Sequence, residues 1–237
     1  MEAIVLAGGL GTRLRSVVKG IPKPMALINK KPFLSYILSF LSRNWIEKII
    51  LSVGYKHEFI KNYFGNMYGS IKIEYSIEET PLGTGGAIKQ ALAYCSDENV
   101  FIINGDTYFD IELRKFYNFH ISVGADVSFA LKQVEDNSRY GTVKVSGNGK
   151  IISFGKENFG NGGLINGGIY LLAKKYFLNK VENFNERFSF ENDFIPFYVN
   201  SSNFYGQVFN SYFIDIGVPE DYEKAVRDFM ENNIFEK

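Results

Sequence analysis

Three glycines and two cations stand at fixed spacing in the first loop of the chain. They follow a short apolar run and are Gly8, Gly9, Gly11, Arg13 and Lys23. Glycines let backbone N–H groups approach a phosphate chain and tolerate positive φ. Arg13 can bind two phosphate oxygens with its planar fork, and Lys23, held between two prolines, can place a point charge on another. These residue types predict a site for a polyphosphate.

The distribution of charge points to the same end of the chain. Acidic and basic residues are equal in number, 26 each, which argues against a nucleic-acid binder with a global basic field. The window 3–46 nevertheless contains no Asp or Glu and seven Lys or Arg. A strongly anionic ligand is therefore expected to bind there. The alternative for this loop is a glycine-rich surface turn.

Three better-known motifs do not fit the chain. The pattern G-x-x-x-x-G-K-[ST] is absent, and G-x-G-x-x-G fails because Leu14 stands where its third glycine belongs. A D-x-D metal motif, expected of a glycosyltransferase with a similar nucleotide fold, fails because Tyr108 stands two residues after Asp106. The first loop is thus predicted to be neither a P-loop nor a dinucleotide fingerprint.

Two aspartates follow apolar runs that have the character of buried strands. Asp106 comes after 99–105, and Asp215 comes after 212–214. Sheet topology can bring such strand ends to one edge, where open α/β sheets bind ligands. Two carboxylates can hold one Mg²⁺ against substrate phosphates, with a purely structural role as the alternative for each. Asp221 is assigned only to the first turn of the last helix, where an acid suits the helix dipole.

The remaining reactive residue types are predicted to be structural. His57 and His120 lie in no motif, and Cys95 lies in an apolar helical pattern, so all three are assigned to packing. One cysteine excludes an intrachain disulfide. No apolar run approaches the roughly 20 residues of a membrane span, and the opening run is too short for a signal peptide. A cytoplasmic protein with no membrane or nucleic-acid partner is expected, and a homo-oligomer is left open.

Strands alternate with helices up to about residue 125, and the chain then becomes rich in strands. The alternation predicts an α/β fold with a mostly parallel sheet covered on both faces. The predicted strands are 2–7, 47–53, 71–77, 99–105, 125–134 and 163–172, and the strand-rich stretch 141–154 is predicted to turn at 147–149. The predicted helices are 32–44, 57–65, 83–95, 189–200 and 218–230.

The stretch LAGGLGTRL followed by PKPMALINKKPFLSYIL resembles the signature of the sugar-phosphate nucleotidylyltransferases. Four later segments are similar to further motifs of that family: GTGGA at 83–87, GD at 105–106, INGGIY at 165–170 and DIGVPEDY at 215–222. The resemblance implies one domain, 1–237, with the Rossmann-like mixed sheet of the nucleotide-diphospho-sugar transferase fold. Its nucleotide-binding core would span about 1–125 and its sugar-phosphate part about 126–237.

The activity that the resemblance implies is nucleotidylyl transfer, which supplies nucleotide sugars for surface polysaccharides. A phosphate oxygen of a sugar 1-phosphate attacks the α-phosphorus of a nucleoside triphosphate, and pyrophosphate leaves. Arg13 and Lys23 would stabilise phosphate charge, and Asp106 and Asp215 would bind Mg²⁺. The implied nucleotide contacts are Leu6, Ala7, Gly8, Gly9, Gly11, Thr12, Arg13, Lys23, Glu78, Pro81, Gly83, Thr84 and Asp106.

The sugar-phosphate contacts implied by the family motifs are Gly141, Lys156, Glu157, Asn166, Glu191 and Asp193. The family usually has F-x-E-K where this chain has Phe154-Gly155-Lys156-Glu157, so the charge order is swapped. Lys156 is preferred for the phosphate because a phosphate needs a cation. The two later acids are candidates for sugar hydroxyls. Their alternative is the first turn of a helix capped by Ser189.

The base and the sugar are predicted on fewer residues. A carboxylate at Glu78 can accept hydrogen bonds from N1–H and the amino group of guanine, which favours GTP, with an exposed loop acid as the alternative. The order of the late segments most resembles family members that use a manno-heptose 1-phosphate, followed by those that use mannose 1-phosphate. Thymidylyl, uridylyl and cytidylyl transfer stay open. A binding subunit without catalysis would lack one of the four catalytic candidates, and this chain retains them all.

Overall fold

The computed structural model describes residues 1–9, 14, 20–155 and 162–231. Within them, the strands are β1 (Glu2–Leu6), β2 (Leu27–Ile28), β3 (Lys31–Pro32), β4 (Lys48–Val53), β5 (Met67–Tyr68), β6 (Ile71–Ile77), β7 (Asn99–Asn104), β8 (Thr107–Phe109), β9 (Val127–Val134), β10 (Thr142–Val145), β11 (Ile151–Gly155), β12 (Gly163–Ala173), β13 (Phe204–Phe209) and β14 (Phe213–Asp215). The α-helices are α1 (Phe33–Ser42), α2 (His57–Phe64), α3 (Gly83–Ala91), α4 (Leu113–Ser122), α5 (Lys174–Lys180), α6 (Ile195–Tyr198) and α7 (Pro219–Glu231). No α-helix of the described residues is long and apolar enough to span a membrane.

The first half of the chain builds the parallel centre of a mixed sheet. Strands β7, β1, β4 and β6 lie side by side and run parallel. The second half continues the same sheet, because β12 pairs antiparallel with β7 and then with β9 and β10. The predicted α/β fold with a mainly parallel central sheet is confirmed. The division near residue 125 stays a prediction, since one sheet runs through both parts.

Helices cover both faces of this sheet, as predicted. Along β1, Ala3 and Val5 pack into the core beneath α1, α4 and α7, whereas Ile4 packs into the core beneath α3 and α5. All three side chains are fully buried. A strand buried on both faces has apolar residues at successive positions, which is why the run EAIVL does not alternate with polar residues.

Several elements of the second half differ from the sequence prediction or were missing from it. The helix expected at 189–200 begins as a π-helical turn, Phe190–Phe194, and only then becomes α6. Helix α5 and strand β13 had not been predicted, and neither had helix α4 before residue 125. Strand β13 is specified by parallel pairing with β9, a contact between segments about 77 residues apart that no local pattern reveals.

The carboxyl ends of the parallel strands open on one edge of the sheet. Gly8 follows β1, Gly54 follows β4, Glu78 follows β6 and Asp106 follows β7. Backbone hydrogen bonds hold these ends together: Ala7 N donates to the carbonyl oxygen of Ser52 at 2.7 Å. Residues that are distant in sequence thereby line one side of the molecule, where open α/β sheets bind ligands.

Candidate active site

A cavity of about 780 Å³ opens at this edge of the sheet. It is lined by eight of the residues predicted to contact a nucleotide: Leu6, Gly8, Gly9, Glu78, Pro81, Gly83, Thr84 and Asp106. Ala7, also predicted, is buried behind the lining. The structure thus brings together the first loop, the second loop and the end of β7, although their roles toward a ligand stay predictions.

The cavity also has walls that the sequence analysis had not singled out. Ser52, Gly54, Tyr55 and His57 follow or end β4, and Asn104 ends β7. The signal that could have found them is their position at the carboxyl ends of predicted parallel strands. His57 was assigned to packing, and this assignment stays a prediction. Its side chain lies at the cavity, with Nε2 2.9 Å from Glu58 Oε1.

The backbone at Gly8 closely approaches the carboxylate of Glu78. A Cβ at this position would lie 2.5 Å from Glu78 Oε1, so any side chain would displace the carboxylate. Gly8 and Gly9 do not have the positive φ that the sequence analysis had allowed for. Gly9 has no atom within 4 Å of a would-be Cβ. Steric room at Gly8, and not left-handed backbone, explains this part of the motif.

Glu78 is a half-buried acid and not the exposed loop acid of the alternative. Its Oε2 accepts a hydrogen bond from Leu82 N at 3.0 Å, and its Oε1 lies 3.4 Å from Ser52 Oγ. Burial raises the pKa of Glu78, and the two hydrogen bonds partly offset this rise. A carboxylate with incomplete solvation at the wall of a cavity can accept hydrogen bonds from a ligand.

Lys23, Asp106 and Asp215 converge at one point. Lys23 Nζ donates a hydrogen bond to Asp106 Oδ2 at 2.6 Å and lies 4.0 Å from Asp215 Oδ1. The side chain of Lys23 is 10% exposed, against 36% for Asp106 and 29% for Asp215. The cation is therefore buried and shared, while each carboxylate keeps a face toward solvent. Among the described residues, the two acids thus share the ammonium group of Lys23.

A small second sheet brings Asp215 to Asp106. Both residues were expected on strand ends at one edge of the sheet, and they do lie together. Asp215, however, belongs to a separate two-stranded sheet and not to the main one. Strand β14 pairs with β8, which places Asp215 opposite Thr107, the residue after Asp106. The backbone N of Gly217 donates to Asp215 Oδ1 at 2.6 Å and helps to fix the carboxylate.

Helix α3 begins inside the second glycine-rich loop, where its glycines pack against segment 186–188. A Cβ at Gly85 would lie 2.1 Å from the ring of Phe188, and a Cβ at Gly86 would lie 2.3 Å from the carbonyl oxygen of Glu186. The carbonyl oxygen of Phe188 accepts hydrogen bonds from the N–H groups of Gly85 and Gly86 at 3.0 and 3.4 Å. These N–H groups are thereby satisfied within the protein. The loop that lines the cavity is anchored to the second half of the chain.

Three of the residues predicted for the sugar phosphate lie near one another. Asn166 N donates to the carbonyl oxygen of Gly141 at 3.4 Å. Asn166 Nδ2 donates to the Tyr170 hydroxyl at 2.6 Å, and that hydroxyl donates to Glu191 Oε1 at 3.1 Å. Tyr170 was not predicted as a site residue, and it connects two residues that were.

Asp193 has a different position. Its Oδ2 accepts a hydrogen bond from Ser189 N at 2.7 Å, and the side chain is exposed. Ser189 Oγ accepts from Asn192 N at 3.0 Å, so Ser189 caps this turn. Both acids lie in the first turn capped by Ser189, as in the alternative considered for them. The carboxylate of Asp193 stays at this cap, whereas that of Glu191 points to the network around Tyr170.

Five of the predicted contacts lie outside the described residues: Gly11, Thr12, Arg13, Lys156 and Glu157. The preference for Lys156 over Glu157 therefore stays a prediction. Among the described residues, a further cation lies near Asp215. Arg139 Nη2 lies 2.9 Å from Asp221 Oδ2, and the bond to Asp221 raises the pKa of Arg139. Asp221 lies in the first turn of α7, as predicted, and also binds this arginine.

Two residues assigned to packing are buried away from the cavity, as expected. His120 lies between Ser128 Oγ at 2.8 Å and Asn99 Oδ1 at 3.2 Å, and burial lowers its pKa to about 4. Cys95 is buried, and burial raises the pKa of its thiol to about 12. Neither group has the exposure that acid–base or nucleophilic catalysis would need.

Comparison with known proteins gives the family and two similar proteins of the same size. The profile of the nucleotidyl transferase family matches residues 2–232. The D-glycero-α-D-manno-heptose 1-phosphate guanylyltransferase of Aneurinibacillus thermoaerophilus is 51% identical over 230 residues, covering 97% of this chain and 99% of the relative. The enzyme of the same name from Campylobacter jejuni is 50% identical over 222 residues, covering 94% and 97%.

A solved structure is similar along nearly the whole chain. HddC from Yersinia pseudotuberculosis superposes with a TM-score of 0.86 at 39% sequence identity, covering 96% of this chain and 99% of the other. Its complex with GMP-PN superposes with a TM-score of 0.84 over the same shares of both chains. The likeness extends from the parallel strands to the second-half strands that pack beside them.

Proposed function

Because the chain belongs to the nucleotidyl transferase family, we propose that it transfers the guanylyl group of GTP to D-glycero-α-D-manno-heptose 1-phosphate. The products are the GDP-sugar and pyrophosphate. The observation that carries the proposed chemistry is the convergence of Lys23 and Asp215 on Asp106, which lines the cavity. The choice of substrates is supported by two relatives named for that activity, each about half identical over nearly the full length.

The reaction needs alignment and charge neutralisation more than proton transfer. The attacking oxygen of a sugar 1-phosphate is already an anion, so no general base is required. The protein must hold two polyanions against their repulsion and stabilise the pyrophosphate as it leaves. Lys23 is the described cation that can reach phosphate oxygens at this edge, and Arg13 is proposed to act beside it.

Magnesium is proposed as the cofactor because the carboxylates fit it. Asp106 and Asp215 already share one cation, the ammonium group of Lys23, at 2.6 and 4.0 Å. The described residues contain no group of three or more metal-ligating acids, His or Cys, which suits an ion that takes its other ligands from phosphates and water. Asp106 and Asp215 would hold the ion, which supplies further positive charge for the α-phosphate and the leaving group.

Lys23 would then have two positions. Its ammonium group lies 2.6 Å from Asp106 Oδ2 and 4.0 Å from Asp215 Oδ1, and it offsets part of the repulsion between the two carboxylates. If these carboxylates held a divalent cation, Lys23 would be repelled from them and could place its charge on the phosphates of GTP instead. Lys23 would thereby serve both arrangements with the same charge.

The preference for guanine rests on Glu78. Its carboxylate lies at the cavity wall beside Gly8 and is half-buried, which strengthens hydrogen bonds to it. Guanine offers N1–H and an amino group side by side, a pair of donors that a carboxylate can accept and that thymine and uracil lack. Pro81 and Gly83 line the same part of the cavity.

The test is pyrophosphate release, with Mg²⁺, from five nucleoside triphosphates against heptose, mannose and glucose 1-phosphates. Release confined to GTP with the manno-heptose phosphate supports the proposal. Release with another pair retains the transfer chemistry and overturns the substrate. No release from protein that still binds GTP would favour a binding subunit. Asp106→Asn should abolish release, whereas the exposed Asp110→Asn, four residues later, should not.

A further inference from the structure

One hydroxyl group joins the nucleotide side of the cavity to the segment that carries Glu191. Thr84 lies in the first turn of α3 and lines the cavity. Its Oγ1 donates a hydrogen bond to Glu191 Oε2 at 2.6 Å and accepts one from Phe190 N at 2.8 Å. The Thr84 hydroxyl therefore binds the backbone N–H of Phe190 and the carboxylate of the next residue, Glu191.

Backbone contacts reinforce this junction. Phe188 N donates to the carbonyl oxygen of Leu82 at 3.0 Å, and Gly85 N donates back to the carbonyl oxygen of Phe188 at 3.0 Å. The glycines of the loop allow the approach, because a Cβ at Gly85 would collide with the ring of Phe188 and a Cβ at Gly83 with its carbonyl oxygen. The second loop and the segment 186–191 are thus one hydrogen-bonded unit.

The other oxygen of the same carboxylate faces the sugar side. Glu191 Oε1 accepts from the Tyr170 hydroxyl at 3.1 Å, and that hydroxyl accepts from Asn166 Nδ2 at 2.6 Å. Asn166 Oδ1 in turn accepts from Gly168 N at 3.1 Å, which fixes the amide. A continuous chain of hydrogen bonds runs from Thr84 through Glu191 and Tyr170 to Asn166.

Burial makes this series of hydrogen bonds a connection between Thr84 and Asn166. The side chain of Tyr170 has no exposed surface, so its hydroxyl has to find its partners inside the protein. Burial, followed by the charge of Glu191, raises the pKa of Tyr170, which keeps the hydroxyl protonated and able to donate. Both oxygens of Glu191 are engaged, and among the described residues no cation competes for them.

We infer that Glu191 is a positioning residue that couples the nucleotide pocket to the sugar-phosphate pocket through Thr84 and Tyr170. The inference rests on the proposed function and replaces the predicted contact of Glu191 with sugar hydroxyls. Thr84 lies on the nucleotide side, and Asn166 lies on the sugar side. Loss of the Thr84 hydroxyl releases Glu191, and the loss is transmitted to Asn166, a residue that Thr84 does not touch.

The experiment is a double-mutant cycle on steady-state kinetics with GTP and the sugar 1-phosphate that supports wild-type activity. Thr84→Val and Tyr170→Phe each remove one bond to the carboxylate and keep the shape of the side chain. Each should raise the KM for the sugar 1-phosphate about 10-fold, the scale of one hydrogen bond to a charged group. The double variant should raise it about 10–30-fold instead of the about 100-fold expected for independent sites. Tyr170→Phe should change the KM for GTP less than about 3-fold.

Two variants separate positioning from general damage. Thr84→Ser keeps the hydroxyl and should restore the KM for the sugar 1-phosphate. Tyr176→Phe removes another largely buried hydroxyl, one that bonds Ser202 away from this chain, and should change neither KM. If Thr84→Val does not fold, Glu191→Gln takes its place in the cycle with Tyr170→Phe.

The outcomes are distinct. A Thr84→Val effect confined to GTP, or an additive double variant, would each show two independent pockets and overturn the inference. Wild-type protein that releases no pyrophosphate with any substrate pair would overturn the proposed function, and the coupling with it. Active wild-type protein with unchanged variants would overturn the coupling alone.

Discussion

The two ends of the cavity stabilise their carboxylates in different ways. Asp106 and Asp215 share the ammonium group of Lys23, a charged partner on a flexible side chain. Glu78 and Glu191 are held by neutral donors, backbone N–H from Leu82 in one case and the hydroxyls of Thr84 and Tyr170 in the other. One end has a counter-ion that can move, and the other has a network that is already arranged.

The difference matches the chemistry proposed for each end. Phosphates and Mg²⁺ bring large charges, so a site for them needs a cation that is present before they arrive and can be displaced when they bind. A base or a sugar brings neutral donors and acceptors, which are selected by fixed hydrogen-bonding groups. The comparison predicts that charge substitutions act most strongly at the first end and that substitutions of neutral donors act on specificity at the second.

The largest effect is expected at Lys23. Lys23→Met should lower kcat about 10²–10³-fold, the scale for one electrostatic stabiliser. The same change should strengthen divalent-cation binding to the nucleotide-free protein about 10-fold, because the ammonium group of Lys23 would repel a divalent cation held by the same two carboxylates. Titration with Mn²⁺ followed by electron paramagnetic resonance measures this directly.

Lys61→Met, on the exposed side of α2, is the matched control and should change neither quantity. A Lys23→Met protein that binds Mn²⁺ more weakly would contradict the two positions proposed for this lysine.

Neutral hydrogen-bonding partners also surround a titratable group outside the cavity, the buried His120. His120 has neutral partners, Ser128 and Asn99, and burial lowers its pKa to about 4 from an ordinary value of 6.5. Between these values the unfolded chain binds a proton that the folded chain does not, so stability is lost as pH falls through this window. Wild type should lose about 2 kcal/mol more than His120→Gln between pH 7 and pH 5.

Urea unfolding at the two pH values measures this difference, and His57→Gln should behave like wild type. Equal pH dependence in wild type and His120→Gln would mean that His120 is not held neutral.

A smaller effect is expected at the guanine end. Glu78→Gln should weaken GTP binding about 10-fold at pH 8, since the hydrogen bonds to the base lose their charged acceptor. GTP stabilises the ionised form, so wild-type affinity should fall as pH falls toward the raised pKa of Glu78, while the variant lacks this component. Isothermal titration calorimetry of both proteins at each pH measures this difference. Protonation of the GTP phosphates affects both affinities equally and cancels in the ratio of the two dissociation constants.

The exposed Glu182→Gln serves as the control. A variant that keeps the wild-type pH profile would remove Glu78 from base recognition.

The smallest effect separates two acids of one turn. Asp193→Asn weakens the bond from Ser189 N and should lower the free energy of unfolding by about 0.5–1 kcal/mol, with kcat/KM changed less than about 3-fold. Glu191→Gln should act mainly on the KM for the sugar 1-phosphate. Thermal unfolding and initial rates on the same preparations give both quantities. A large loss of activity in Asp193→Asn would return this residue to the sugar pocket.

The first half of the fold was predictable because its elements are specified locally. The apolar runs at 2–7 and 99–105 are long enough to identify buried strands, and α1 to α3 have the spacing of one apolar face. The second half was less predictable, since β13 and the π-helical turn depend on partners distant in the chain. The glycines were recognised as a motif, but their close contacts are visible only in the structure. A Cβ at Gly8 would contact Glu78, and a Cβ at Gly86 would contact Glu186.

The sequence by itself determined the types of chemistry: an acid-free basic opening, glycine-rich loops and aspartates at strand ends, which local composition and spacing express. Only the tertiary structure decided which groups meet. Lys23 lies against Asp106 because parallel strands end at one edge, and Asp215 joins them through the pairing of β14 with β8. Tyr170 could not be distinguished from any core tyrosine until burial and hydrogen bonding placed its hydroxyl between Asn166 and Glu191. Such contacts join residues far apart along the chain, and no local pattern encodes them.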